Sequence, residues 1–285
     1  MKLTQIGMIV GAVIGFNAAQ ADPLPAPYPA PEPAIGVKEG TTDLGIKGKV
    51  AAIEPLAMDN TAVWQMGSGD MANVTINQNT SGTTDGHVAL VDTHASYKSD
   101  VVVEQSGNLN EAHVKLRYRR NNALIDQDGL HNQARVKVNG SGRLNDLRVT
   151  QMGDENISVV KAKGGADRNE ADVYINGNSN TTYTEFSNGS VDRNDVAIDV
   201  LGDGNYVETI VNTDVGGGDW NDVDIDLMNS NDNRVFTLQT GSHSNVTVDL
   251  VSSNMNQFMI EQTSHDNAAV LGNGANGNVG LIYQN

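Results

Sequence analysis

The chain contains no cysteine. Disulfides, the usual reinforcement of small exported domains, are therefore excluded, and so are thiol nucleophiles and thiolate metal sites. Proline stops early: Pro23, Pro25, Pro27, Pro29, Pro31 and Pro33 alternate along one segment, Pro55 follows, and none occurs after it. Proline removes a donor from a strand ladder, so a long stack of paired strands should exclude it. Aromatic residues make up only 5% of the chain, too few for a large conventional core. Basic residues are also scarce, with 18 Lys and Arg against 35 Asp and Glu and a formal net charge of −17. Such a chain is a poor partner for nucleic acid, because phosphate affinity rests on Lys and Arg. It also gains little attraction to an anionic membrane, and no apolar run beyond Ala21 is long enough to insert into one.

What is present divides the chain into four parts. Residues 1–21 read as a secretory signal: Lys2 opens it, residues 6–16 are apolar, and Ala19-Gln20-Ala21 offers a small-x-small cleavage site before Asp22. Residues 22–35 are an extended, proline-rich linker. Residues 36–60 carry no clear repeat and read equally as a cap, a strand or a second linker. Residues 61–285 repeat a short phrase at nearly regular intervals, the commonest step being that from Asn110 to Asn121 and again to Asn132.

A repeat that short is one strand and one turn, and its copies must stack to bury anything. Its turn exits fall at Asn73, Gly86, Ser99, Asn110, Asn121, Asn132, Asn145, Asn156 and Asn169, and then at Asn180, Asn194, Asn205, Asn221, Asn233, Ser244, Asn256, Asn267 and Asn278. After each exit the residues alternate. Asn121, Ala123, Ile125 and Gln127 share one face, as do Asn132, Ala134, Val136 and Val138, with polar neighbours between them. Period two is the mark of a half-buried strand, and Gly, Asn and Asp supply the turns. The expectation is an all-β protein: a β-solenoid of about nine strand-turn-strand rungs forming two facing parallel sheets, ~43 Å long at the ordinary strand spacing.

The inward Asn and Gln are unusual, because a buried amide is costly unless paired. Stacked in register, each amide can bond to those above and below it. Gln65, Gln105, Gln127 and Gln151, at strand ends, are read as such a ladder. For the turn-exit Asn residues, a ladder and simple tolerance of turn geometry both remain open.

Residues 105–112 contain Gln105, Gly107, Asn110 and Ala112, and residues 127–134 contain Gln127, Gly129, Asn132 and Ala134 at the same spacing. Gln65-x-Gly67 and Gln151-x-Gly153 carry the first half of this phrase, and Asn121-x-Ala123 carries its second half. At these residues the chain resembles the curlin repeat of curli, the secreted amyloid fibres of bacterial biofilms. The resemblance covers about 90 residues well and about 220 weakly. It implies a two-sheet solenoid, export through an outer-membrane pore, and end-to-end stacking with itself and with other curlin subunits. From Asn156 onward most Gln positions become apolar or small, as at Gly164 and Ile175, and the proline-rich linker is not a usual curlin feature.

No enzyme signature, cofactor motif or close metal-ligand spacing stands out. His87, His94, His113, His131, His243 and His265 read as solvated polar residues. Asp222, Asp224 and Asp226 put three carboxylates on one outward strand face, which can attract a cation but reads first as solvated surface. Gly216-Gly217-Gly218 lacks the Lys and Ser or Thr of a phosphate loop and reads as a turn.

Charge is uneven. Residues 111–148 hold eight Lys or Arg against four acids, whereas residues 192–285 hold two against fourteen. In a solenoid this gives a basic middle and an acidic C-terminal half, whose like charges would hold back edge-to-edge growth. The expected function is a non-enzymatic subunit of an extracellular curli-like fibre serving biofilm matrix and surface adhesion. The alternative is a monomeric secreted β-helical adhesin or carbohydrate-binding protein. A β-helical polysaccharide lyase fits less well, for want of clustered basic and carboxylate residues on a lateral face.

Overall fold

The computed structural model describes the chain from residue 60 onward, apart from segments 66–71, 81–85, 187–190, 212–219 and 264–266 and a few single positions. The signal segment, the linker, residues 36–59, Gly67 and the three glycines at 216–218 lie outside the described residues.

Strands adjacent in sequence never pair. Among the described residues each pairs with a strand two or three places further along, always in parallel, and this winds the chain into a β-solenoid of about eight turns, close to the nine anticipated. One sheet has ten strands, running from Thr61–Gln65 through Val88–Asp92, Glu111–Lys115 and Gln133–Lys137 to Gln257–Gln262 and Val279–Gln284. The other has seven, from Asn73–Thr80 through Asp100–Asn108, Asn122–Leu130 and Asp146–Met152 to Ile225–Leu227. The bridge from Asp222 to Asn245 carries this second sheet on into the pair Asn245–Thr247 and Asn267–Ala269.

Register is strict because the side-chain period is two and one face is buried. In the second sheet Val103, Ile125, Val149, Val173, Ile198 and Ile225 form one continuous inward column. In the first sheet Val91, Val114 and Val136 do the same. All are buried, and β-branched residues suit this pleated, interdigitated surface. The core is a thin slab of Ala, Val, Ile and Leu, with Phe186 the largest fully buried side chain. Few aromatics are needed because no point of this core is far from a sheet.

Insertions collect in the turns and leave the strand register intact. The first-sheet step from Tyr206 to Arg234 is longer than that from Glu111 to Gln133, yet both pair in the same columns.

Candidate functional site

The two corners at which the chain passes from sheet to sheet are each lined by buried amides. One ladder runs Asn110, Asn132, Asn156, Asn180, Asn205, Asn233 and Asn256 and closes on the exposed Asn278, and the other runs Asn121, Asn145, Asn169, Asn194 and Asn221. Asn156 shows the pattern. Its backbone N–H and its Nδ2 both donate to Asn132 Oδ1, at 3.0 and 3.1 Å, and Nδ2 also donates to Gly177 O at 2.7 Å. Its Oδ1 accepts the same pair of bonds from Asn180. Every hydrogen-bonding function of the amide is used, which removes the cost of burying it. Of the two readings left open by the sequence, the ladder is the one realised.

The glycine of the phrase has a matching cause. Gly107, Gly129, Gly153 and Gly177 all have positive φ, between 96° and 148°. A Cβ on Gly129 would lie 2.0 Å from Gly153 O, and one on Gly153 would lie 2.2 Å from Gly177 O. Rungs therefore approach here more closely than any side chain allows. The carbonyl brought in by that approach receives the Asn Nδ2 of the previous rung: Asn110 to Gly129, Asn132 to Gly153, Asn156 to Gly177. The spacing Gly-x-x-Asn is thus one interlocking joint, stacked.

The glutamine ladder runs Gln78, Gln105, Gln127 and Gln151 in the second sheet, with Nε2 to Oε1 distances of 2.9, 2.9 and 2.8 Å. Ile175, Val200 and Leu227 continue the same column as aliphatics, as the loss of Gln in the later repeats implied.

Several assignments are corrected. Gln65 is not in the glutamine ladder: it ends a first-sheet strand opposite Asp92, and Gln78 takes the place given to it. Asn73 pairs with Asp100 rather than Ser99, so it faces solvent and donates to the Asp100 carboxylate at 2.7 Å. Asn267 pairs with Asn245, one position past the column of Ser244. Gly86 is likewise one residue early. His87, fully buried, holds that rung of the ladder, donating its backbone N–H to Asn60 Oδ1 and accepting the Asn110 N–H on Nδ1 at 3.3 Å. Gly164 lies in a turn between Ile157–Val160 and Ala166–Asp167, outside the glutamine column.

Sequence reasoning missed a second glutamine ladder in the first sheet. Gln239 donates to Gln262 and Gln262 to Gln284, at 3.3 and 2.8 Å. Their spacing of 23 and 22 residues is the signal that would have found them. Above Gln239 the column is Val211, which offers no donor, and Gln239 Oε1 is left without a partner.

Asp222, Asp224 and Asp226 lie on the outer side of the second sheet. Asp226 stacks on Asp199, and Asp222 bridges Asp195. Partial burial and neighbouring carboxylates raise Asp195, Asp199, Asp224 and Asp226 above the ordinary carboxylate range. On the outer side of the first sheet, Glu185 accepts from Lys163 and Tyr183 and lies 3.5 Å from Lys161. Burial alone would raise Glu185, but those bonds and the two lysines bring it below its usual value. His113 is driven down to about 4, first by burial and then by the positive charge of Arg135. His87 is lowered by burial, in keeping with a neutral ring that accepts on Nδ1 and meets Asn79 O through Nε2. Neither is the solvated histidine the sequence suggested.

Among the described residues no group of three or more His, Asp or Glu is placed to hold a metal ion, and no helix is long and apolar enough to cross a membrane. No protein-family model matches the chain, and no curated protein matches it.

Proposed function

We propose that the chain is a non-enzymatic structural subunit of an extracellular, curli-like fibre that contributes to biofilm matrix and surface adhesion. The observation that carries this reading is the strict axial register of the amide ladders, one of which runs the full length of the described stack. Asn60 begins one of them and Asn278 closes it. Among the described residues the outermost first-sheet strands, Thr61–Gln65 and Val279–Gln284, each have a sheet neighbour on one side only. Such edges template another strand, and a second copy set on the Val279–Gln284 edge would extend both sheets in parallel. Stacked identical amides favour that extension. Other curlin-type subunits and an outer-membrane export pore are the partners this reading entails, and it assigns no cofactor and no reaction.

The test is incubation of the purified chain lacking residues 1–21, followed by thioflavin T fluorescence and electron microscopy, with and without preformed seeds. Fibres whose lag shortens on seeding are the expected result. A chain that stays monomeric for days with seeds present overturns the proposal and favours the monomeric adhesin.

A further inference from the structure

The corner leading into the second sheet differs from the opposite one in what it shows to solvent. The residue just before each ladder amide is left-handed at both corners. At the opposite corner these positions are Leu109, His131, Glu155, Ser179, Gly204, Asp232, Met255 and Gly277. At this corner they are Lys98, Arg120, Leu144, Arg168 and Arg193, followed by Trp220 and His243, all exposed. Left-handed backbone costs a non-glycine residue roughly 1–2 kcal/mol. Gly and Asn, which bear it most easily, are absent from all seven positions. Long cations and an indole stand there instead.

The column is built rather than scattered. Arg120 N–H donates to Tyr97 O, Arg168 N–H to Arg143 O, Arg193 N–H to Asp167 O and Trp220 N–H to Asp192 O, at 2.8–3.1 Å. One such side chain therefore leaves each rung, at the ~4.8 Å strand spacing. The Arg193 guanidinium lies 4.7 Å from the centre of the Trp220 ring. The His243 ring follows at 6.5 Å, tilted by 16°. Trp220 is 54% exposed although its ring is held from both sides. Lys98, Arg120 and Arg168 form no ion pair among the described residues, and Arg143 is the cation committed to a carboxylate, Asp167.

We infer that this corner is a binding track for an acidic polysaccharide, with Lys98, Arg120, Arg168 and Arg193 pairing its carboxylates or sulfates and Trp220 and His243 stacking on its sugar rings. Cations stand on four of the five rungs from Lys98 to Arg193, with Leu144 on the remaining one, a spacing that suits acidic groups carried on the successive sugars of an extended chain. Aromatic rings flanked by cations suit the apolar face of a pyranose. Asp100, Asp146, Glu170 and Asp195 open the second-sheet strands beside the track and restrict an anionic ligand to a single file. Duplex DNA fits less well. Its charge density of about one per 1.7 Å exceeds what four cations spread over five rungs can neutralise, and the acidic file repels its second strand. The inference does not depend on fibre formation, since the track is complete within one chain.

Polygalacturonate, an uncharged glucan and duplex DNA, each titrated into the full mature chain, separate the possibilities. Tryptophan fluorescence and sedimentation are the readouts. Polygalacturonate is expected to bind and to weaken as salt rises. The substitution Trp220→Ala and the pair R168S/R193S should each weaken it by about tenfold or more. Arg148→Ser, a cation outside the track, should leave binding unchanged. Circular dichroism of each variant separates lost binding from lost fold. Absence of polygalacturonate binding, equal binding of the glucan, tighter binding of DNA, or an equal effect of Arg148→Ser overturns the proposal.

Discussion

Asn132 Nδ2 donates to Gly153 O across 2.6 Å, joining one rung to the next at a point where the backbones come too close for a side chain. The amide and the glycine are therefore one device. Neither has its value alone, because without the glycine the carbonyl would lie out of reach, and without the amide it would be buried and unpaired.

Gly129→Ala should accordingly destabilise the stack severely, by about 3 kcal/mol or more, since the methyl would meet Gly153 O at 2.0 Å and φ is +129°. Gly277→Ala is the control. It has positive φ of 68° but nothing within 4 Å of the added methyl, so only backbone strain of about 1 kcal/mol is expected. Urea denaturation followed by circular dichroism measures both, and similar losses for the two would contradict the interlocking joint.

Gln127→Leu should cost about 3 kcal/mol. It strips a donor from Gln151 Oε1 and an acceptor from Gln105 Nε2, both inside the core. The triple change of Gln105, Gln127 and Gln151 to Leu should cost less than the sum of the single changes, because it removes the partners together. Ile175, Val200 and Leu227 show that the same column accepts aliphatics when they follow one another. Additive losses in the same denaturation measurement would argue against a cooperative ladder.

The period-two pattern made the solenoid legible, and the absence of proline after Pro55 pointed to a long parallel stack. The inward columns from Asn121 to Gln127 and from Asn221 to Leu227 lie where alternation placed them, because a one-residue slip would turn every Val and Ile outward. Where the phrase lacked its Asn, the register was lost by one residue. His87 fills the ladder place next to the expected turn exit Gly86, and Asn73, a turn exit by the same reading, begins the exposed series. A single amide in a turn looks the same in sequence whether it faces in or out. Gln65 and Gln105 look alike for the same reason, yet they belong to different sheets. Sheet membership depends on counting half-turns, and a variable turn breaks the count.

Lowering pH acts on two sets of groups in opposite directions. His113, brought from 6.5 to about 4, and His87, also lowered, are neutral in the fold and take up protons more readily when unfolded. Their contribution to stability is complete above pH 6.5 and declines as pH falls below it, the decline for His113 ending near pH 4. Asp199, Asp224 and Asp226 are raised, so their charged forms burden the fold at pH 7, and that burden lifts as pH falls toward 3.8. His113→Gln should therefore flatten the acid loss of stability between pH 6.5 and 4, as read by thermal denaturation at stepped pH. An unchanged profile would place that proton uptake elsewhere.

On the fibre reading, growth is held back by the acidic outer face formed by Asp195, Asp199, Asp222, Asp224 and Asp226. Growth is then expected to quicken at about pH 4–5, where carboxylates begin to protonate. Salt at pH 7 should act the same way, since about 0.15 M shortens the screening length to about 8 Å. Replacing Asp222, Asp224 and Asp226 together by Asn should reproduce the acid effect at neutral pH while leaving the core column of Val223, Ile225 and Leu227 untouched. The competing possibility is attraction between the basic stretch at residues 111–148 of one copy and the acidic rungs of another. Salt distinguishes them by sign, because it weakens an attraction and a repulsion alike. Thioflavin T kinetics at several salt concentrations read that sign directly. Slower growth in added salt, with the triple Asn variant slower still, would show that opposite charges drive assembly and that the acidic face recruits rather than restrains.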